Sequence, residues 1–178
     1  MAGNKPQNTF VPLQIAVVTV SDTRTEENDT SGQYLAGSLE AEGHILYQKH
    51  ICKDDVDALR ALVKELIEDE TVHAVLTTGG TGFTKRDNTV VALHPLLESH
   101  IDGFGELFRH LSYTEIGSST IQSRAFAGLS NNTVIFCMPG STGACKTAWT
   151  GIIREQLDSR HKPCNFVDRI TVRESVGD

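Results

Sequence analysis

The chain has 178 residues, with 16 basic and 23 acidic side chains that give a formal net charge of −7. This acidic balance argues against a nucleic-acid binder, because such proteins normally carry a basic excess or a basic face. No apolar run is long enough to span a membrane, and the N-terminus has no apolar signal segment. The four cysteines include no CxxC pair, which favours reduced thiols over disulfides or a zinc site. We therefore expect a cytoplasmic protein with a single domain of ordinary size.

Buried strands alternate with amphipathic helices along this domain, which we assign to residues 11–170. A flexible segment at 1–10 and a tail at 171–178 flank it. Apolar runs rich in β-branched residues predict strands at 13–20, 44–51, 73–78 and 133–138. Helical spacing predicts helices over 32–43, 54–70, 88–97, 103–117 and 142–157. This alternation is typical of an α/β domain whose mostly parallel sheet is covered on both faces.

Several polar loops follow the predicted strands and are expected to meet at one edge of the sheet. In open α/β sheets, ligands bind beyond the carboxyl ends of the strands. That rule brings together Ser21 and Asp22 after the first strand, Asp54 after the second, and the loops at 78–87 and 138–146. The sequence therefore predicts one ligand site built from four separate segments.

The loop at residues 78–87, here called the glycine loop, begins with Thr78-Gly79-Gly80-Thr81-Gly82. Glycines permit positive φ and close approach of a ligand, and successive backbone N–H groups can form an anion-binding nest. The loop fails the dinucleotide fingerprint, since Lys85 stands where the third glycine belongs. It also fails the P-loop pattern, because the chain has no Gly-Lys dipeptide. The local pattern leaves an anion site and a simple tight turn as equal alternatives.

A second glycine-containing loop has the sequence Pro139-Gly140-Ser141 and leads into a predicted helix that contains Lys146. It can be interpreted as a Pro-Gly turn in which Ser141 or Thr142 caps the helix. Two such loops at one edge favour a ligand with two anionic ends, for which we take Pro139, Gly140, Ser141 and Lys146 as candidate contacts.

Three carboxylates, those of Asp22, Asp54 and Asp87, are expected beside these loops. Each can also be a helix cap or a solvated loop residue. Acids clustered near phosphate loops indicate a divalent cation and phosphoryl or nucleotidyl transfer, with Mg²⁺ held by Asp54 and Asp87. Residues 122–124 have two equal interpretations: they place a cation near the site, or they form a surface turn.

The chain resembles the MoaB/MogA family of molybdenum cofactor biosynthesis proteins, and its MoaB branch most closely. The matching stretches lie between Val18 and Phe166 and are VTVSD, DTSG, LTTGGTGFTKRD, GFGELFR, QSRAFAG, MPGST and PCNF. The resemblance implies a three-layer α/β/α sandwich that binds molybdopterin. It also implies a homo-oligomer, either a trimer or a hexamer.

The resemblance further implies an activity, namely molybdopterin adenylyltransferase. Adenylating members transfer AMP from Mg-ATP to the terminal phosphate of molybdopterin and release pyrophosphate. Their catalytic, metal-binding acids match Asp54 and Asp87. Their substrate contacts match Ser21, Asp22, Gly79, Gly80, Thr81, Gly82 and Ser141.

One position departs from the adenylating relatives, which often have proline before the second acid, whereas this chain has Lys53. The alternative function is therefore a non-catalytic protein that binds molybdopterin or carries it to a partner enzyme of the same pathway. If adenylation does occur, Lys85, Arg86 and Lys146 are the cations available to offset charge on pyrophosphate.

Overall fold

A six-stranded sheet crosses the centre of the described chain, which comprises residues 9–172 of a computed structural model. The strands are β1 (Gln14–Val20), β2 (Ile45–Cys52), β3 (Ala74–Thr78), β4 (Ser99–His100), β5 (Phe126–Ser130) and β6 (Thr133–Met138). Their order is β2-β1-β3-β6-β5-β4. The first four strands in this order are parallel, whereas β5 runs antiparallel to both β6 and β4. The prediction of a mostly parallel sheet is thus confirmed.

Helices cover both faces of the sheet. They are α1 (Thr30–Ala41), α2 (Val56–Glu68), α3 (Thr89–Leu93), α4 (Asp102–Ile116), α5 (Thr142–Ala148), α6 (Arg154–Gln156) and α7 (Val167–Thr171), with 3₁₀ turns at His94–Leu96 and Gly117–Gln122 and a π turn at Trp149–Ile153. Alternate side chains of β1 enter two separate cores, as a period of two residues requires. One core contains α1, α4, α5 and α7, and the other contains α2 and α3. This arrangement is the expected three-layer α/β/α sandwich.

The antiparallel edge of the sheet was not predicted. Strand β5 contains Gly128, which weakens the strand pattern. A Cβ atom there would lie 2.6 Å from the carbonyl oxygen of Ser99, so close pairing with β4 requires glycine. The predicted helix at 142–157 is present but is interrupted by the π turn. Within that turn, a Cβ at Gly151 would lie 2.7 Å from Leu111 of α4.

Helix α2 begins one residue later than the interpretation of Asp54 as its cap requires. Asp55 is the N-cap, and its carboxylate accepts a hydrogen bond from the Ala58 N–H at 2.9 Å. The interpretation of Asp54 as the cap is therefore wrong. Because Asp55 occupies that position, the side chain of Asp54 is available to another part of the protein.

The first described residues pack against the domain. Phe10 lies 4.9 Å from His44, ring centre to ring centre, and the backbone N–H of Leu13 donates to His44 Nδ1 at 3.2 Å. Burial lowers the pKa of His44 to about 4, despite the opposing charge of Asp158. The flexible segment predicted at 1–10 lies outside the described residues apart from its last two, and the predicted tail lies outside them from residue 173 onward.

Two further features bear on the sequence predictions. Trp149 and Cys137 are buried in the core as expected, and burial raises the pKa of the Cys137 thiol to about 12. No helix between residues 9 and 172 is both long and apolar enough to cross a membrane.

We expect the free energy of unfolding to decrease as the pH falls below neutrality, in part because of His44. Its pKa is lower in the folded state, about 4, than in the unfolded chain. The unfolded state therefore binds the extra proton more tightly between these two values, and protonation removes the acceptor that Leu13 uses. For one proton, the free energy of unfolding changes by at most about 1.4 kcal/mol per pH unit.

Urea denaturation between pH 4 and 7 measures this effect. His44→Gln should flatten the pH dependence, whereas His110→Gln, which alters an exposed histidine of α4, should leave it unchanged. An unaltered pH slope in His44→Gln would assign the effect to other groups.

Candidate active site

The four predicted segments meet in one cavity of about 560 Å³ at the carboxyl ends of β1, β3 and β6. Every predicted site residue except Lys146 lines it. These residues are Ser21, Asp22, Asp54, Thr78, Gly79, Gly80, Thr81, Gly82, Asp87, Pro139, Gly140 and Ser141. Lys146 instead places its Nζ 5.7 Å from the centre of the Tyr34 ring.

Other groups occupy the space that side chains would need at the three glycines of the glycine loop. Gly79 and Gly80 have φ values of +106° and +69°, in the region that favours glycine. A Cβ at Gly80 would lie 3.1 Å from Asp54 Oδ2, and one at Gly82 would lie 2.8 Å from Asp87 Oδ2. The bare backbone thus allows both carboxylates to pack directly against the loop.

Asp54 is a buried acid, with 7% of its surface exposed. Its Oδ1 accepts a hydrogen bond from the backbone N–H of Asn88 at 2.9 Å, and the Asn88 side chain donates to the Asp54 carbonyl at 2.9 Å. Burial raises the pKa of Asp54, and the charges of Asp87 and Asp22 raise it further. A cation placed beside Asp54 would therefore stabilise its ionised form.

Asp87 has a different environment from Asp54. Its Oδ2 accepts hydrogen bonds from the Thr84 N–H at 2.8 Å and the Thr84 hydroxyl at 2.7 Å. Burial opposes ionisation, but the hydrogen bonds from Thr84 outweigh it and lower the pKa of Asp87. The interpretation of Asp87 as a helix cap is wrong, since Asn88 occupies the position before α3. Asp87 is instead an ionised acid held inside its own loop.

Asp22 is paired with an arginine. Its Oδ1 accepts from the backbone N–H of Asp54 at 3.2 Å, and its Oδ2 accepts from the guanidinium of Arg86. Arg86 lowers the pKa of Asp22. Between residues 9 and 172, no group of three or more His, Cys, Asp or Glu side chains is arranged to hold a metal ion.

The loop of Pro139, Gly140 and Ser141 packs closely against the glycine loop. A Cβ at Gly140 would lie 3.3 Å from the Cα of Gly79, and the Thr78 hydroxyl donates to the Pro139 carbonyl at 2.9 Å. Ser141 caps α5, because its Oγ accepts from the Ala144 N–H at 3.1 Å. Of the two predicted caps, Ser141 and Thr142, Ser141 is the one that caps α5, and it is also part of the cavity wall.

Sequence reasoning missed one wall of the cavity. Phe108, Ser112 and Ile116 lie four residues apart on α4, and Ser119 and Gln122 follow from the 3₁₀ turn. The one available signal was Ser112, a polar residue on an otherwise apolar helix face. Residues 122–124 had two interpretations from the sequence, and in the structure Gln122 and Ser123 line the cavity.

Comparison with known proteins identifies the family. The profile of a family described as a probable molybdopterin binding domain matches residues 16–159. The chain belongs to this family. The matched range includes every predicted site residue, so the cavity lies within the molybdopterin-binding domain.

Individual relatives within the family are close. The chain is 54% identical to molybdenum cofactor biosynthesis protein B of Escherichia coli (strain K12), over 88% of this chain and 92% of that protein. A crystal structure of a molybdenum cofactor biosynthesis protein B has a TM-score of 0.80 and 47% identity, covering 83% of this chain and 92% of that one. A Pyrococcus furiosus structure, described as the tungsten cofactor synthesizing protein MoaB, has a TM-score of 0.73 and 35% identity, with coverages of 81% and 92%. These findings confirm the resemblance to MoaB/MogA proteins, whereas the roles of individual residues stay predictions.

We expect Gly79→Ala to destabilise this molybdopterin-binding domain by about 1–3 kcal/mol, the range for a residue forced into an unfavourable backbone conformation. A Cβ at Gly79 would lie 2.3 Å from the carbonyl oxygen of Val20, which belongs to β1 and cannot move easily. Chemical denaturation of the purified variant measures the loss.

The matched control is Gly37→Ala in α1, where a Cβ atom meets nothing within 4 Å. Alanine is the better helix former, so this change should stabilise by up to about 1 kcal/mol. Equal stabilities of the two variants would contradict the steric role assigned to Gly79.

Proposed function

We propose that the protein adenylates the terminal phosphate of molybdopterin with Mg-ATP and releases pyrophosphate. The observation that supports this most directly is the packing of Asp54 and Asp87 against a glycine loop, inside a cavity with a second glycine-containing loop. The relatives named for molybdenum cofactor biosynthesis support a role in the same pathway.

The reaction requires positioning and charge neutralisation more than covalent catalysis. An oxygen of the molybdopterin phosphate attacks the α-phosphorus of ATP and forms a new P–O bond. The bond to the pyrophosphate oxygen breaks, and its electron pair leaves with pyrophosphate. The nucleophile is already an anion, so no general base is needed, and the site's acids need not accept a proton.

Asp54 and Asp87 would hold Mg²⁺, which when bound neutralises the negative charge that builds up on the phosphates. The donor set fits this ion, because Mg²⁺ is usually held by one or two carboxylates together with oxygens of the substrate.

Cations close to the acids would assist the leaving group. Arg86 lies at the cavity and is paired with Asp22, so its charge is already directed toward this part of the site. Lys85 and Lys146 do not line the cavity, which makes Arg86 the strongest of the three candidates. Trimer or hexamer formation and cytoplasmic location stay predictions.

A non-catalytic carrier is the second candidate function, and Lys53 in place of the usual proline favours it. Lys53 is exposed and immediately precedes Asp54, so the substitution changes the chain that positions this acid. A carrier would bind molybdopterin in the same cavity but would have no step that depends on ATP.

Asp87→Asn separates the two functions. We expect single-turnover pyrophosphate release, with molybdopterin and Mg-ATP, to fall by about 100-fold or more, because a charge that offsets the developing negative charge is removed. Molybdopterin affinity should be retained. Asp55→Asn is the matched control, since Asp55 caps α2 and does not line the cavity, and it should leave pyrophosphate release unchanged.

Two outcomes would overturn adenylation as the function. The first is pyrophosphate release by the wild-type protein that does not depend on molybdopterin. The second is tight binding of molybdopterin without any ATP-dependent step, which would establish the carrier instead.

A further inference from the structure

Arg124 lies behind the glycine loop, between the 3₁₀ turn at Gly117–Gln122 and β5. It does not line the main cavity but a smaller one beside it. Its guanidinium carbon lies 4.7 Å from the centre of the Phe83 ring, which covers it on one side. Arg109 of α4 fixes the adjoining backbone by donating to the Ala125 carbonyl at 3.0 Å.

The guanidinium of Arg124 donates to three backbone carbonyls of the glycine loop. Nε donates to Thr81 O at 3.3 Å, and one terminal nitrogen donates to Gly82 O and, at 3.2 Å, to Asp87 O. The backbone N–H of Arg124 also donates to Thr81 O at 3.0 Å. A single arginine thus binds the loop both at Thr81 and Gly82 and at Asp87, its last residue.

One of these peptide groups connects Arg124 to Asp54. In a trans peptide the C=O and the next N–H point in opposite directions. The Asp87 carbonyl accepts from Arg124, and the N–H on the other side of that peptide, from Asn88, donates to Asp54 Oδ1 at 2.9 Å. The Thr81 and Gly82 carbonyls also accept from Arg124, and Gly82 lies against the Asp87 carboxylate, since a Cβ there would lie 2.8 Å from Asp87 Oδ2.

We propose that Arg124 is a positioning residue. It fixes the Asp54 carboxylate through the peptide between Asp87 and Asn88, and it fixes Asp87 by holding the carbonyls of Thr81, Gly82 and Asp87 itself. Donation from a cation polarises the peptide between Asp87 and Asn88 and strengthens the hydrogen bond from the Asn88 N–H to Asp54. The planar guanidinium supplies donors in a fixed arrangement, whereas the ammonium of lysine is a compact point charge. The consequence for turnover rests on the proposed adenylation, but the consequence for the loop does not.

The test compares Arg124→Met and Arg124→Lys with Arg60→Met. Arg60 is a matched control, because it is also half-buried and donates to two backbone carbonyls, those of Val91 at 2.9 Å and Ala92 at 3.1 Å, away from the acids. Hydrogen exchange of the peptide at 79–88 should accelerate about tenfold or more in Arg124→Met, as expected when hydrogen bonds to a charged group are lost. It should stay at the wild-type rate in Arg60→Met.

Kinetics distinguish positioning from simple support of the fold. In Arg124→Met the kcat for adenylation should fall about 100-fold, the cost of misplacing reacting groups by about 1 Å, while the KM for molybdopterin changes little. Arg124→Lys should lie between wild type and Arg124→Met. If the wild-type protein does not adenylate, calorimetry of ATP binding replaces the measurement of kcat. The quantity measured is the gain in ATP affinity on adding Mg²⁺, and we expect this gain to be smaller in Arg124→Met than in the wild type.

Three results would overturn the proposal. One is wild-type exchange at 79–88 in Arg124→Met. Another is acceleration of equal size throughout the sheet in both Arg124 variants, which would indicate general destabilisation. The third is an Arg124→Met variant whose KM for molybdopterin is raised while its kcat is unchanged, or whose Mg²⁺-dependent gain in ATP affinity is unchanged.

Discussion

Direct packing of two carboxylates against the backbone of Gly80 and Gly82 is the constraint on which the site depends. A Cβ at Gly82 would lie only 2.8 Å from Asp87 Oδ2, and one at Gly80 would lie 3.1 Å from Asp54 Oδ2 and 2.3 Å from the Thr89 hydroxyl oxygen. The loop can be approached in this way because it follows β3, whose neighbours β1 and β6 bring further loops to the same edge. The polar donors of Asn88 and Thr84 offset the cost of burying the acids.

The two acids have opposite shifts in pKa, and this asymmetry suits the proposed chemistry. Hydrogen bonds from Thr84 lower the pKa of Asp87, so it is ionised before any cation arrives. Burial raises the pKa of Asp54, so ionisation of Asp54 is favoured most when a cation is bound. In the proposed reaction, Asp87 would attract the divalent ion and Asp54 would gain stability from its presence.

Local signals in the sequence were sufficient for the parallel strands and for the loops that follow them. They failed where the outcome depends on distant contacts. Gly128 is interpretable as part of a strand only when the neighbouring backbone at Ser99 is known. Asp54 and Asp55 are adjacent, and either could cap α2 on local evidence. The contact of Asp54 with Asn88, which is distant in sequence, leaves Asp55 as the cap. Lys146 has the sequence position of a ligand residue, but it lies over Tyr34 instead.

The unpredicted wall of the cavity and the support for the acids belong to one continuous stretch of chain. Helix α4 supplies Phe108, Ser112 and Ile116, the 3₁₀ turn supplies Gln122, and the same segment then reaches Arg124. Within α4, Arg109 donates to the carbonyl just beyond Arg124. A ligand that contacts this wall therefore contacts the segment whose next residues hold the glycine loop. Displacement of this segment would change the positions of the wall and of both carboxylates together, which links recognition of one end of a ligand to the charge arrangement at the other.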